Sequence, residues 1–432
     1  MRRRLFLLAY EGFWCGIRWI LLPLLWLFQE QMRGQIKGRR FARATLELWR
    51  EARSGKAGCA IFFCSSAGEY EQAKPLARRL HVDYDYFVLF LFASESGHRF
   101  AQAQGENLSY HKAPWDSPLA WRSLREALQP TLLVVVRYEL WPGFLSVAAA
   151  RAPLYLIDAV QSAGLREQKL GRWIWQRLLV SFQHVFTVGP ADAVFYQDVL
   201  NFPRAKISVV GDSKYDRVLE RIAERESRAV ALRQQLSRFR GEARLLVLGS
   251  AWPDDLDLIL AVFSHLPHLD AGQSFKIVVA PHDVSPLMGQ LMESKLKAAG
   301  LTVCRVTRDG LDAVNEKHDA LLVDEVGFLA ELYACADLAW IGGALHHRVH
   351  NVLEAACRGI YLGFGPRYTS SQEAIWLVEQ RLAQVAETSD QLLAWISQLS
   401  WEHQPPHLAL WEAVIGQRGA SDRMVQVMLA RT

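Results

Sequence analysis

Residues 131–138 read Thr-Leu-Leu-Val-Val-Val-Arg-Tyr, five consecutive apolar residues closed by a charge. A strand with one solvated face alternates polar and apolar residues. A run that is apolar at every position has both faces covered, as in a parallel sheet with helices on either side. Residues 275–280, Phe-Lys-Ile-Val-Val-Ala, carry a similar run in the second half of the chain. Working outward, short apolar β-rich runs occur at Cys59–Ser65, Tyr86–Ala93, Thr131–Tyr138, Leu154–Asp158, His184–Val188 and Lys206–Val210. A second set lies at Arg244–Gly249, Phe275–Ala280, Ala320–Val323, Leu338–Ile341 and Ile360–Phe364. Amphipathic helical segments such as Pro118–Leu128 and Ser285–Ala299 separate them. Strand–helix alternation over 432 residues predicts an α/β protein with two doubly wound, Rossmann-like domains. The expected boundaries are 1–53 for an N-terminal anchor and basic linker, 54–210 and 211–400 for the two domains, and 401–432 for a C-terminal helix. A long charge-laced helix over Arg217–Arg240 is expected to lead into the second domain.

The charge is unevenly placed. The chain carries a net +4, but residues 1–53 hold an excess of +7, which leaves the body near −3. A nucleic-acid surface needs positive charge on the folded body, so no nucleic-acid partner is expected. The basic segment instead flanks the apolar stretch from Leu5 to Phe28, which Glu11, Arg18 and Pro23 interrupt. Trp14, Trp19 and Trp26 suit the headgroup region. Arg2, Arg3, Arg4, Arg33, Lys37, Arg39 and Arg40 would meet anionic lipid. The reading is a membrane-anchoring helix, spanning the bilayer or lying in its interface. The six cysteines form no Cys-x-x-Cys pair and lie mostly in apolar runs, the pattern of buried free thiols.

Ligands of open α/β sheets bind beyond the carboxyl ends of the strands. After the first run comes Ser65-Ser66-Ala67-Gly68-Glu69. A carboxylate there is either a general base for a hydroxyl or a group favoured by the helix dipole. Arg137-Tyr138-Glu139 follows the third run, and its two charges either pair or act on a ligand. In Gly211-Asp212-Ser213-Lys214, the lysine either holds an anion or is a hinge residue. In the second half, Gly249-Ser250-Ala251, Pro281-His282-Asp283 and Gly342-Gly343-Ala344 each follow a strand. The glycine pair before a helix start is a candidate anion cradle, and Glu354 a candidate receiver of ribose hydroxyls. The run His346-His347-Arg348-Val349-His350 lacks the glutamate of the His-Glu-x-x-His metal motif, so no metal is expected there.

Together these segments resemble the transferases of 3-deoxy-D-manno-octulosonic acid (Kdo) in lipopolysaccharide synthesis. The resemblance rests on Ser66-Ala67-Gly68-Glu69, Glu139-Leu140-Trp141-Pro142, Gly211 to Asp216, Gly249-Ser250-Ala251, Gly342-Gly343-Ala344, His350 to Ala356 and Phe364-Gly365-Pro366, in that order. It implies a GT-B glycosyltransferase with its active site between the two domains. It also implies inverting transfer of Kdo from CMP-Kdo to a lipid A precursor, with no metal or other cofactor. The enzyme would sit at the inner membrane, through lipid contacts of its N-terminal segment, with the catalytic domains on the cytoplasmic face. Carried onto this chain, Glu69 is the base, and Glu139 and Lys214 support the transition state. Ser250, Pro281, His282, Val326, Gly327, Phe328, Gly343, Asn351, Val352, Leu353 and Glu354 line the donor site. The leaving phosphate would meet Lys214 and the backbone after Gly343 or Gly327. The chain departs from the family pattern in the donor half. Ala280-Pro281-His282 stands for Pro-Arg-His, Val326-Gly327-Phe328 for Met-Gly-Glu, and His350 to Ala355 reads HNVLEA for HNPLEP. Arg348 or Arg367 is the candidate replacement for the missing cation. The alternatives are another nucleotide-sugar donor with a lipid or cell-envelope acceptor, and a non-catalytic membrane-bound paralog.

Overall fold

The computed structural model describes residues 41, 43–116, 118–137, 140–148, 152–263, 265–266, 274–399 and 408–430. The expected anchor over the first forty residues and the candidate Glu139 lie outside them. No helix among the described residues is long and apolar enough to cross a membrane.

The described residues form two compact units, one within residues 1–217 and 417–432 and the other within residues 218–416. The first unit holds β1 (Gly58–Cys64), β2 (Tyr86–Phe92), β3 (Ser109–Lys112), β4 (Leu132–Val136), β5 (Leu154–Ala159), β6 (His184–Thr187) and β7 (Ile207–Val209). They form one sheet in the order β3-β2-β1-β4-β5-β6-β7. Every pairing is parallel, for example Ile61 opposite Leu133 and Phe62 opposite Phe90.

The all-apolar runs have a direct explanation. Successive strand residues point to opposite faces, and both faces are packed. Ile61, Phe63, Leu133 and Val135 enter one core with Trp121 and Phe144. Phe62, Phe90, Val134 and Tyr155 enter the other, with Tyr70, Leu76 and Leu80 of the helix Ala67–Val82. Each such side chain contributes roughly 1.5–3 kcal/mol on burial, so a polar residue on either face of a central strand is unfavourable.

The second unit repeats the plan with β8 (Arg244–Ala251), β9 (Phe275–Pro281), β10 (Val303–Arg305), β11 (Ala320–Leu322), β12 (Leu338–Ile341), β13 (Tyr361–Phe364) and β14 (Gln384–Val385). Their order is β10-β11-β9-β8-β12-β13-β14, all parallel. Leu246, Leu248, Ile277, Val279 and Trp340 form its core with Leu256 and Ile259. The five described cysteines, Cys59, Cys64, Cys304, Cys335 and Cys357, are buried and free.

Two features differ from the sequence expectation. The helix expected over Arg217–Arg240 is two helices, Ser213–Glu224 and Glu226–Arg240. Arg225 leaves helical geometry between them (φ −108°, ψ 6°), and its guanidinium lies 3.3 Å from the buried carboxylate of Glu331. The segment 211–217, assigned to the second domain from sequence, packs with the first unit. Its Asp216 accepts backbone N–H bonds from Gly419 (2.5 Å) and Ser421 (2.8 Å), at the start of the helix Ala420–Leu429. That helix sends Met424, Val425 and Met428 into the first unit's core, so the expected single C-terminal element is divided. The helix Leu408–Gly416 stays with the second unit.

Candidate functional site

Each sheet reverses its winding once. In the first, the chain moves outward from β1 to β2 and β3, then returns to place β4 on the other side of β1. Such a switch point leaves a crevice at the carboxyl ends of the two strands. Glu69 stands there. Ser66, in extended conformation, caps the helix Ala67–Val82, its Oγ accepting from the Glu69 N–H at 3.3 Å. The half-buried Glu69 carboxylate accepts the Ser65 N–H at 2.5 Å and the Ser65 hydroxyl at 2.7 Å. The carboxylate is therefore fixed in orientation beside the end of β1.

Across the switch point, Arg137 follows β4 in a left-handed conformation (φ 56°), its N–H donating to the Ile157 carbonyl. A non-glycine residue there carries strain of order 1–3 kcal/mol, and such residues cluster at functional sites. The carboxylate near its guanidinium is Asp212, at 3.7 Å. The fully buried Asp158 near the end of β5 is also left-handed (φ 49°). It accepts the Ser213 N–H at 3.0 Å and the Ser213 hydroxyl. Burial first, and then the negative charge of Asp212, push its pKa up to about 7. Asp212 Oδ1 accepts the Lys214 N–H (2.8 Å) and the Gln72 amide (3.3 Å), and Arg217 pairs with Glu71 at 2.8 Å. These contacts tie the turn carrying Lys214 to the ends of β4 and β5 and to the helix of Glu69. The structure thus brings Glu69 and Lys214 to the same carboxyl edge. The sequence reading gave no role to Asp158 or Asp212; a carboxylate closing an apolar strand was the available signal.

In the second sheet the switch point lies between β8 and β12. Gly249 has no room for a side chain, since a Cβ would stand 1.8 Å from the Tyr333 hydroxyl. Ser250 follows in a left-handed conformation (φ 52°), where the pairing of β8 with β9 shifts register. Next come Trp252 and Asp255. Asp255 is buried and accepts three N–H groups: Trp252 backbone (3.0 Å), Gly343 backbone (2.9 Å) and Trp340 indole (3.0 Å). This corrects the expectation of an open cradle at the glycine pair, because a protein carboxylate already occupies the Gly343 N–H. Burial raises the Asp255 pKa despite these donors.

The remaining candidates separate by position. Pro281 is buried at the end of β9, and His282 beside it is exposed. Val326 is 79% exposed, Gly327 is left-handed (φ 98°), and Phe328 precedes the short helix Leu329–Tyr333. Asn351 Oδ1 accepts the Leu353 N–H at 3.1 Å. Val352 and Leu353 are buried, and Glu354 pairs with Arg221 at 3.1 Å. Ser250, His282, Val326 to Phe328, Gly343 and Asn351 therefore lie along the carboxyl ends of β8, β9, β11 and β12. Among the described residues, no group of three or more His, Cys, Asp or Glu side chains could hold a metal ion.

A family model described as 3-deoxy-D-manno-octulosonic-acid transferase (kdotransferase) matches residues 38–217. A 3-deoxy-D-manno-octulosonic acid transferase from Chlamydophila psittaci is 27% identical over 334 residues, covering 74% of this chain and 72% of the relative. One from Haemophilus influenzae is 23% identical over 434 residues, covering 97% of this chain and 98% of the relative. Among solved structures, the UDP-GlcNAc 2-epimerase from Neisseria meningitidis bound to UDP-GlcNAc matches with a TM-score of 0.58 at 11% identity, covering 87% of this chain and all of that one. That likeness speaks to the fold of two parallel-sheet α/β domains.

Proposed function

The chain belongs to the Kdo transferase family and is a glycosyltransferase, and on that premise we propose that it transfers Kdo from CMP-Kdo to a hydroxyl of a lipid A precursor, in lipopolysaccharide biosynthesis, with inversion at the anomeric carbon and no bound metal. Glu69 accepts the proton of the acceptor hydroxyl as its oxygen bonds to that carbon. The bond from the carbon to the CMP phosphate breaks, and CMP leaves with the electron pair. Attack opposite the leaving group gives the inversion. Lys214 offers a cation to the Kdo carboxylate or the departing phosphate, and Glu139 assists from the segment after β4. The observation that carries this reading is the Glu69 carboxylate, fixed by two donors of Ser65 at the end of β1. Incubating the full-length protein with CMP-Kdo and a lipid A precursor, and measuring the glycosylated lipid by mass, is the direct test. No product under any condition would sink the reading.

A second reading keeps the transferase and changes the donor. Two observations favour it: Asp255 occupies the Gly343 N–H, and Glu354 is engaged by Arg221. Comparing CMP and UDP binding separates the two readings, because each donor leaves its own nucleotide behind.

We place the protein at the cytoplasmic face of the inner membrane. Besides the basic N-terminal segment, the helix Lys169–Leu179 supports this. Leu170 (70% exposed), Trp173 (43%) and Val180 (66%) form an outward apolar stripe, with Lys169, Arg172 and Arg177 around it. Arg177 lies 4.0 Å over the Trp173 ring. Apolar side chains interleaved with cations suit an anionic lipid surface.

A further inference from the structure

The run His346 to His350 has no part in the mechanism above, yet the fold gathers two of its rings around one indole. The His347 ring lies 4.1 Å from Trp252, centroid to centroid. His282, from the loop after β9, stacks on Trp252 at 5.0 Å and on His350 at 4.3 Å. The Trp252 indole N–H donates to His350 Nε2 at 3.3 Å. That bond requires a bare Nε2, so His350 is neutral. Burial, and the neighbouring His282, Arg348 and His347, press its pKa down to about 4. His282 and His347 are exposed. The three loops concerned follow β9, β8 and β12, which are adjacent strands around the second sheet's switch point.

Any nucleotide sugar brings at least one phosphate charge to this edge. The Gly343 N–H is already spent on Asp255. No arginine stands in Ala280-Pro281-His282. Around the rings, the first turn of the helix Pro253–Phe263 after β8 supplies Asp254, 3.4 Å from His346, and the buried Asp255. The loop after β9 supplies Asp283, bonded to Ser285. The loop after β12 supplies His346, Arg348 and His350, and Arg367 bonds to it through its backbone. Building on the nucleotide-sugar reading, we propose that Trp252, His282 and His347 form the phosphate-holding part of the donor subsite, and that an imidazole there takes up a proton from solvent as the phosphate binds.

The physics is that of a charge created on demand. A phosphate oxygen beside a neutral imidazole favours the protonated ring, which then donates a charge-assisted hydrogen bond. The indole face stabilises the imidazolium. A permanent guanidinium would bind the same phosphate without this proton. Affinity for the nucleotide should therefore strengthen by up to about tenfold per unit fall in pH across the histidine range.

Titration calorimetry of the full-length protein with the methyl ester of CMP tests this, since a phosphodiester does not itself titrate between about pH 6 and about pH 8, where imidazole does. Two buffers of different ionisation enthalpy read the proton directly. The expected result is tighter binding at lower pH with about one proton taken up per ligand, and loss of both in His282→Asn/His347→Asn. Binding that is flat with pH, with no proton taken up, would overturn the proposal and leave the CMP-linked donor standing. A slope that survives the double substitution would also overturn it. If the UMP methyl ester binds with proton uptake and the CMP ester does not, the subsite stands and the cytidine donor falls. If neither ester binds, both fall. His347 is exposed, so His347→Asn alone should keep the wild-type melting temperature and lower the slope in part.

Discussion

The two switch points occupy the same place in the same kind of sheet and are furnished differently. At β1/β4, an accessible carboxylate stands at the edge, and the buried acids Asp158 and Asp212 lie behind it, holding the Ser213-Lys214 turn. At β8/β12, the buried acid Asp255 holds the glycine turn, and the rings of His282 and His347 face outward between the exposed Asp254 and Asp283. In both, a left-handed residue and a buried aspartate fix a loop just past a strand. The shared device positions the loop. What the loop then presents is a carboxylate at one switch point and a set of imidazoles at the other.

The largest expected effect tests the first switch point. Glu69→Gln keeps the side chain's size and removes its proton-accepting charge. Turnover should fall by roughly 10²–10⁴-fold, the range for loss of a general base, while CMP binding by calorimetry stays at the wild-type value. Unchanged turnover would remove Glu69 from the mechanism.

The next effect is on stability at the second switch point. Asp255→Ala leaves three N–H donors without this acceptor, and the two buried ones, of Gly343 and the Trp340 indole, cost roughly 1–3 kcal/mol each. The variant should unfold at markedly lower denaturant. Gly249→Ala drives a methyl group into the Tyr333 hydroxyl and should cost about 1–3 kcal/mol by overpacking. If either variant melts with the wild type, the packing described at β8/β12 is wrong.

The two regions should also respond to pH with opposite signs. The folded Asp158 carboxyl has its pKa raised to about 7, against roughly 4 when unfolded. Its contribution is whole below that unfolded value and is lost as pH rises through about 7. Asp158→Asn should therefore gain stability relative to wild type as pH rises over this interval. His350 is held down at about 4, against roughly 6.5 when unfolded. Its contribution is whole above the unfolded value and drains as pH falls toward about 4. His350→Gln should flatten that loss. Chemical denaturation at a series of pH values reads both, and parallel slopes in the two variants would contradict the contrast.

The smallest effect concerns the outer helix of the first unit. Leu170→Glu with Trp173→Glu should lower turnover several-fold on acceptor held in anionic vesicles and leave it unchanged on acceptor in detergent. Equal loss in both settings would point to a defect other than lipid contact.

Much of the fold was legible, and the strands that were missed share a cause. The central strands were readable because both of their faces are buried, so nearly every position had to be apolar. Ser109–Lys112, Val303–Arg305 and Gln384–Val385 were missed, and each is an edge strand. An edge strand is short and has one neighbour, so Ser-Tyr-His-Lys and Gln-Val satisfy it without an apolar run. The break at Arg225 was invisible because neither proline nor glycine marks it. It coincides with an ion pair to Glu331, a residue more than a hundred positions away.

By itself, the sequence determined that two parallel α/β sheets form, that Glu69 opens a helix at the end of the first strand, and that chemistry-bearing residues follow the strands. Those facts follow from local rules: strand periodicity, helix capping and the placement of charge after apolar runs. Tertiary structure alone decided that Asp255 takes the glycine turn's N–H, that Asp158 and Asp212 hold the turn of Lys214, and that His282, His347 and His350 meet at Trp252. Each of these joins residues from different crossover units. Crossovers in a parallel sheet place the ends of non-consecutive strands side by side, and no spacing along the chain encodes which side chains meet there.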